Sequence, residues 1–189
     1  MSGECRRMLI ALAVLFALPY AAFAVSNDVP QNLVEFAEKN LVSIGQDPVI
    51  VSAVAAQNAR GQSLALIKEL DRRWQATPGI DAFMFELMRS RAAFVLLNLQ
   101  VEHPFITESF VMDNRGALVG LTHKTSDYWQ GDEAKFTESY GTGAVHYGQV
   151  ELDESTGDYL VQVSVPVLKN GRAIGAITFG VSLDRWEQR

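Results

Sequence analysis

The sequence predicts an α+β domain in which long N-terminal helices pack on a five- to six-stranded antiparallel sheet. Apolar residues recur at helical spacing from Gln31 to about Gln100. After His103 and Pro104 the pattern becomes short runs rich in valine, phenylalanine and tyrosine, bounded by turn residues, which is the signature of strands. At 189 residues the chain is long enough for one domain with a real core and short for two.

The first segment stands apart from that domain. Arg6 and Arg7 precede the apolar run MLIALAVLFAL, then Pro19 and the small-residue pattern Ala22, Phe23, Ala24. This is the layout of a secretory signal peptide, and the run is shorter than the roughly 20 residues a membrane-spanning helix needs. Residues 1–24 are therefore expected to be cleaved, and 25–30 to form a short leader. Cys5, the only cysteine, lies before the apolar run, so the mature chain has no thiol for disulfides, nucleophilic catalysis or thiolate metal sites. Losing Arg6, Arg7 and Glu4 leaves 14 basic against 21 acidic residues, a formal charge of -7. An acidic exported chain without a lysine or arginine cluster is a poor partner for nucleic acid or anionic lipid. The expected location is the periplasm or the medium, as a soluble protein.

Within 31–100, the helical part, punctuation follows the periodicity. Pro48 opens a helix after Asp47, Gly61 and Ser63 separate two more, and Pro78-Gly79 turns the chain before Asp81 caps the next. The sheet part, 105–189, holds five strands. ESFVMD and ALVGLTHKT flank a turn at Asn114, Arg115 and Gly116, and AVHYGQVELD and DYLVQVSVPVL flank Ser155, Thr156 and Gly157. RAIGAITFGVSL follows Asn170-Gly171, a strong hairpin signal. Residues 123–145 form one long connection, with a short helix expected near Asp132. In the fourth strand Leu160, Gln162 and Ser164 alternate with Val161, Val163 and Val165, so one sheet face is more polar than the other. The helices cover one face, and the long connection is the segment that can lie over the other and make a pocket.

The run FVMDNRGALVGLTHKTSDYWQGDEAKF and the closing VSVPVLKNGRAIGAITFGVSL resemble the extracellular sensor domains called Cache or PDC domains, relatives of PAS domains. The likeness covers about residues 31–189. It is carried by the D-x-x-G turn at Asp113 to Gly116, the SDYWQGDE stretch, and P-V-x-x-x-G-x-x-I-G-x-I from Pro166 to Ile177. It implies an N-terminal helix on one face of the sheet, a small ligand on the other face beneath the long loop, and a homodimer through the N-terminal helix. It also implies a histidine kinase or chemoreceptor as the signalling context. Because the chain stops at Arg189, just after the sheet, the expectation is a stand-alone binding protein that presents its ligand state to a membrane-bound partner or scavenges the ligand.

The candidate ligand contacts lie around that connection. Tyr128 and Trp129 offer flat apolar walls with polar edges and faces that attract cations, and the competing reading is that one ring plugs the loop into the core. Asp127 suits an ammonium group. Asp132 and Glu133 read as helix-start residues. Lys124 could pair with a ligand carboxylate or stay solvated, and His123 and His146 border the connection as pocket or edge residues. An amine or amino acid fits the first set and a carboxylate fits the second; the sequence leaves both open.

The three histidines lack the spacing of a zinc site, and Gly141 and Gly143 lack the rest of a dinucleotide fingerprint, so no metal or cofactor is expected. Ser126, Asp127 and His146 are the right residue types for acyl transfer, but there is no G-x-S-x-G elbow and no enzyme is expected. The alternative to a small-molecule sensor is an interaction protein that binds its receptor directly, without a ligand.

Overall fold

The structure, a computed structural model, describes residues 29–153 and 157–189. The signal peptide and most of the leader expected from the sequence lie outside the described residues. Helix α1 (Gln31–Phe36) runs through a π-helical turn (Ala37–Leu41) into α2 (Val42–Ile44), followed by α3 (Pro48–Ala59), α4 (Leu64–Ala76), α5 (Ala82–Met88) and α6 (Arg91–Glu102). The starts of α3, α4, α5 and α6 are fixed by short polar side chains that accept otherwise orphaned backbone N–H groups. Asp47 accepts from Val49 and Ile50, Ser63 from Leu66, Asp81 from Met84 and Ser90 from Ala93. Three of these four caps are the residues the sequence pattern marks.

The second half forms β1 (Ile106–Met112), β2 (Leu118–Leu121), α7 (Ala134–Thr142), β3 (His146–Leu152), β4 (Tyr159–Lys169), β5 (Arg172–Ser182) and α8 (Leu183–Glu187). The strands make one antiparallel sheet in the order β2-β1-β5-β4-β3. Asn170 and Gly171 both have positive φ, 53° and 74°, which is the backbone a tight hairpin turn between β4 and β5 requires.

Alternation along the strands sorts the residues onto two cores. Val111, Val161, Val163, Val165, Ile177 and Phe179 face Leu33, Leu41, Ile50, Val54 and Leu96 of the helical half. Phe110, Met112, Leu118 and Ala176 point to the opposite face, where they meet Ile67 and Trp74 of α4, Met84 of α5, Tyr128, and Phe136 of α7. The helical half is thus split between the faces: α1, α3 and α6 back one, while α4 and α5 reach round to the other. Binary patterning shows which helix residues are apolar but not which sheet face receives them, so the expectation of helices on one face only is corrected here.

The connection between β2 and β3 is also more ordered than a closing loop. Tyr128 carbonyl accepts from Leu118 N–H at 3.2 Å, Gln130 N–H donates to Gly116 carbonyl at 2.8 Å, and Ala117 and Trp129 pair as an antiparallel bridge. The stretch 127–131 is therefore a strap fastened along the β1–β2 turn. Gly131 makes the fit possible, since a Cβ there would lie 2.4 Å from Trp129 Nε1 and 2.5 Å from Arg115 carbonyl oxygen.

Candidate functional site

Two cavities flank the N-terminal end of α7. The larger, about 710 Å3, lies on the polar sheet face between α7 and strands β1, β5, β4 and β3. The smaller, about 370 Å3, is a cleft between α4 and the strap. Glu133 borders both. Both volumes fall within the range usual for small-ligand sites.

The floor of the sheet-face cavity is set by strand register. Glu108 of β1 and Gln162 of β4 both pair with Gly180 of β5, so an acid and an amide flank a position without a side chain. A Cβ on Gly180 would sit 2.6 Å from Glu108 Cγ, so glycine is what lets the Glu108 stem lie across the strand. One row further on, Ser164 pairs with both Thr178 and His146, and the Ser164 and Thr178 hydroxyls bond each other at 2.9 Å. His146 therefore borders the cavity, together with Leu160 and Gly148. The roof is the first turn of α7, where Glu133 Oε2 meets Lys135 Nζ at 2.9 Å. Among the described residues, Glu108, His146 and Gln162 have no side-chain hydrogen bond or ion pair within the protein.

In the cleft, by contrast, Asp71, Gln75, Asp127 and Trp129 are engaged with one another and with the backbone of the strap and the β1–β2 turn, while Arg72 and Asp132 border it. Asp71 of α4 accepts from the backbone N–H groups of Tyr128 and Trp129 at 2.8 and 3.0 Å. Its other oxygen accepts from Gln75 at 2.9 Å, and Gln75 and Ser126 both donate to Asp127. Trp129 donates its indole N–H to Arg115 carbonyl at 2.7 Å, and Lys68 Nζ stands 4.5 Å from the centre of its ring.

The six residues singled out in the sequence therefore disperse. Asp127 and Trp129 line the cleft and His146 the sheet-face cavity, whereas Tyr128, Lys124 and His123 line neither. Tyr128 is 2% exposed, packed against Trp74 and Phe83 with ring centres 5.8 and 5.2 Å apart. Burial, with the Asp113 carboxylate nearby, pushes its phenol well above the usual tyrosine range. Adjacent residues of a strap point to opposite sides, which sends Tyr128 inward and Trp129 outward. Lys124 Nζ donates to the carbonyls of Thr77 and Gly79 at 2.7 and 2.9 Å and so ties down the chain after α4. His123 is exposed, 3.2 Å from the Thr122 hydroxyl. The helix-start reading of Asp132 and Glu133 changes too: Glu133 is the N-cap of α7, but its carboxylate binds Lys135 instead of the backbone.

Sequence reasoning missed Glu108 and Gln162. The legible signal was the alternation in β4, which marked Gln162 as facing the polar side; Glu108 has no such signal, because only the β1–β5 register brings it beside Gly180.

The five-stranded antiparallel sheet and the cavity beneath the long β2–β3 connection match what the resemblance to Cache domains implies, while α4 and α5 on the cavity face depart from it. The fold is α+β, a single five-stranded antiparallel sheet in the order β2-β1-β5-β4-β3 with helices on both faces. No family model and no curated protein matches the sequence. Among solved structures, the chain is similar to the sensor domain of the Vibrio cholerae histidine kinase DctB, at 16% identity over 83% of this chain and 51% of that one, with a TM-score of 0.48. It is similar to the ligand-binding domain of the Campylobacter jejuni chemoreceptor Tlp3, solved with 4-methylisoleucine, at 16% identity over 82% and 62%, TM-score 0.43. A third likeness is to the ligand-binding domain of the Pseudomonas aeruginosa amino acid chemoreceptor PctC, solved with GABA, at 12% identity over 80% and 63%, TM-score 0.42. The chain spans about half of the DctB structure and less than two thirds of the other two. Among the described residues, no helix is long and apolar enough to cross a membrane.

Proposed function

We propose that this chain is an exported small-molecule-binding domain of the sensor type, taking its ligand into the sheet-face cavity beneath α7. The observation that carries the reading is the convergence of three polar side chains without a partner among the described residues, Glu108, Gln162 and His146, on a cavity of about 710 Å3. Partly buried polar groups without protein partners are costly unless something else satisfies them. Trp129 and Asp127 border a cleft whose polar groups are largely engaged with one another, which supports a structural role for the strap and leaves the sheet-face cavity as the binding site. Ligand contacts to the α7 roof would favour one placement of that helix, giving a membrane-bound histidine kinase or chemoreceptor two states to distinguish, provided the ligand binds one state better. No chemical step is part of this function.

A thermal-shift panel of amino acids, amines, organic acids and nucleobases at millimolar concentration tests it, since a ligand that binds only the native state raises the melting temperature. The expected result is a hit that disappears in Gly148→Leu, which places a side chain at the cavity floor. A hit indifferent to that variant, or no hit from a folded protein, overturns the reading. Exposed Phe85 of α5 with Phe94 and Val101 of α6, at 54, 58 and 80% exposure, favour the second reading, a protein that docks to a receptor without any ligand. A silent panel combined with ligand-free receptor binding would establish it.

A further inference from the structure

We infer that the ligand of the sheet-face cavity is an organic cation, an amine on an aliphatic stem, with the Glu108 carboxylate as its counter-ion; this rests on the cavity being the binding site. The lining holds four carboxylates, Glu108, Glu133, Glu151 and Asp153, against one lysine, Lys135, with His146 beside them. That lysine is already spoken for. Its Nζ lies 2.9 Å from Glu133 Oε2 and 5.6 Å from the centre of the Phe110 ring, with a side chain only 16% exposed.

Once that pair is set aside, the remaining charge facing the cavity is negative, and Glu108 is its part-buried member on the sheet floor. Glu108 is half-buried and lies across Gly180 on the sheet floor, and among the described residues its carboxylate has no hydrogen bond or ion pair. A carboxylate drawn part-way out of water without a partner favours an opposite charge and repels a like one. A ligand carboxylate would meet this repulsion with the one lysine of the lining already paired. An ammonium group instead has donors for Glu108 and for the Gln162 carbonyl on the other side of Gly180, the two side chains that the register places around the gap. Leu160, in the same lining, offers apolar surface for a carbon stem.

The test compares n-butylamine, 1-butanol and butyrate at neutral pH, which share a stem and differ in head-group charge. Binding is read from amide NMR shifts of Gly148, Gly180 and the Gln162 side chain in the whole protein. The expected result is saturable shifts with the amine, affinity at least tenfold weaker for the alcohol and the acid, and weakening of amine binding as sodium chloride rises. Glu108→Gln, which keeps the shape and removes no bond, should weaken the amine at least tenfold and leave 1-butanol unchanged. Butyrate binding as tightly as the amine, or amine affinity unchanged in Glu108→Gln, overturns the inference. If only the neutral or anionic probe binds and Gly148→Leu abolishes it, the cavity reading stands and the cation falls. If all three probes leave these resonances unmoved, the cation falls as well, and a silent thermal-shift panel then removes the cavity reading with it.

Discussion

Replacing Asp71 by alanine should loosen the strap without unfolding the domain. The Asp71 carboxylate accepts two backbone hydrogen bonds, from Tyr128 at 2.8 Å and Trp129 at 3.0 Å, and through them α4 grips the strap backbone. Hydrogen bonds to charged groups contribute about 1.5–3 kcal/mol each, and removing the acceptor leaves two N–H groups to find water. The site is only partly buried, so water can replace the lost acceptor, and the expected cost is about 2 kcal/mol in total. For a domain of this size that corresponds to a melting temperature lower by roughly 4–8 °C. Asp71→Asn keeps an oxygen acceptor and should cost less than about 1 kcal/mol. Urea denaturation gives the free energies, and hydrogen exchange at Tyr128 and Trp129 shows whether the loss is local. A stability of Asp71→Ala within about 0.5 kcal/mol of the parent, or an asparagine variant as damaged as the alanine one, would refute the reasoning.

Ser139 of α7 is fully buried and its hydroxyl has no partner among the described residues, so Ser139→Ala should stabilise the protein by about 1 kcal/mol in urea titration. Gly175→Ala should destabilise it by more than about 2 kcal/mol, because a Cβ there would stand 2.2 Å from Met112 carbonyl oxygen and 2.9 Å from Val54 Cγ1 within the β1–β5 pairing. Burial, with Glu38 nearby, raises the Tyr147 phenol to about 12. The neutral phenol is thus favoured in the folded state, and the stability it contributes is complete below pH 10 and lost as pH rises from 10 towards 12. Tyr147→Phe should flatten the fall in stability over that window, measured by urea titration at stepped pH; an unchanged slope would contradict the assignment.

Local signals made much of the architecture legible. Asp47, Ser63 and Asp81 could be read as helix starts because capping depends on a few neighbouring atoms. Asn170-Gly171 could be read as a hairpin because two positive φ angles admit few other residues. The candidate site was less legible. SDYWQGDEAKF drew attention to Tyr128 and Trp129, yet their roles were set by the strap bonds to Gly116, Leu118 and Asp71, all distant in sequence. His146 was found because it borders the long connection; Glu108 was invisible, since nothing near it in the chain differs from an ordinary solvent-facing strand position.

The sequence by itself determined the α+β division, the antiparallel strands and the polar face of β4, because helix caps, turn conformations and side-chain alternation are short-range properties of the backbone. Only the tertiary structure decided which face α4 and α5 cover, that the strap is pinned, and that Glu108, Gly180 and Gln162 share one row across three strands. Strand register and helix docking are settled by the packing of the whole core against the entropy of the chain, and that balance leaves no mark on any single stretch of sequence.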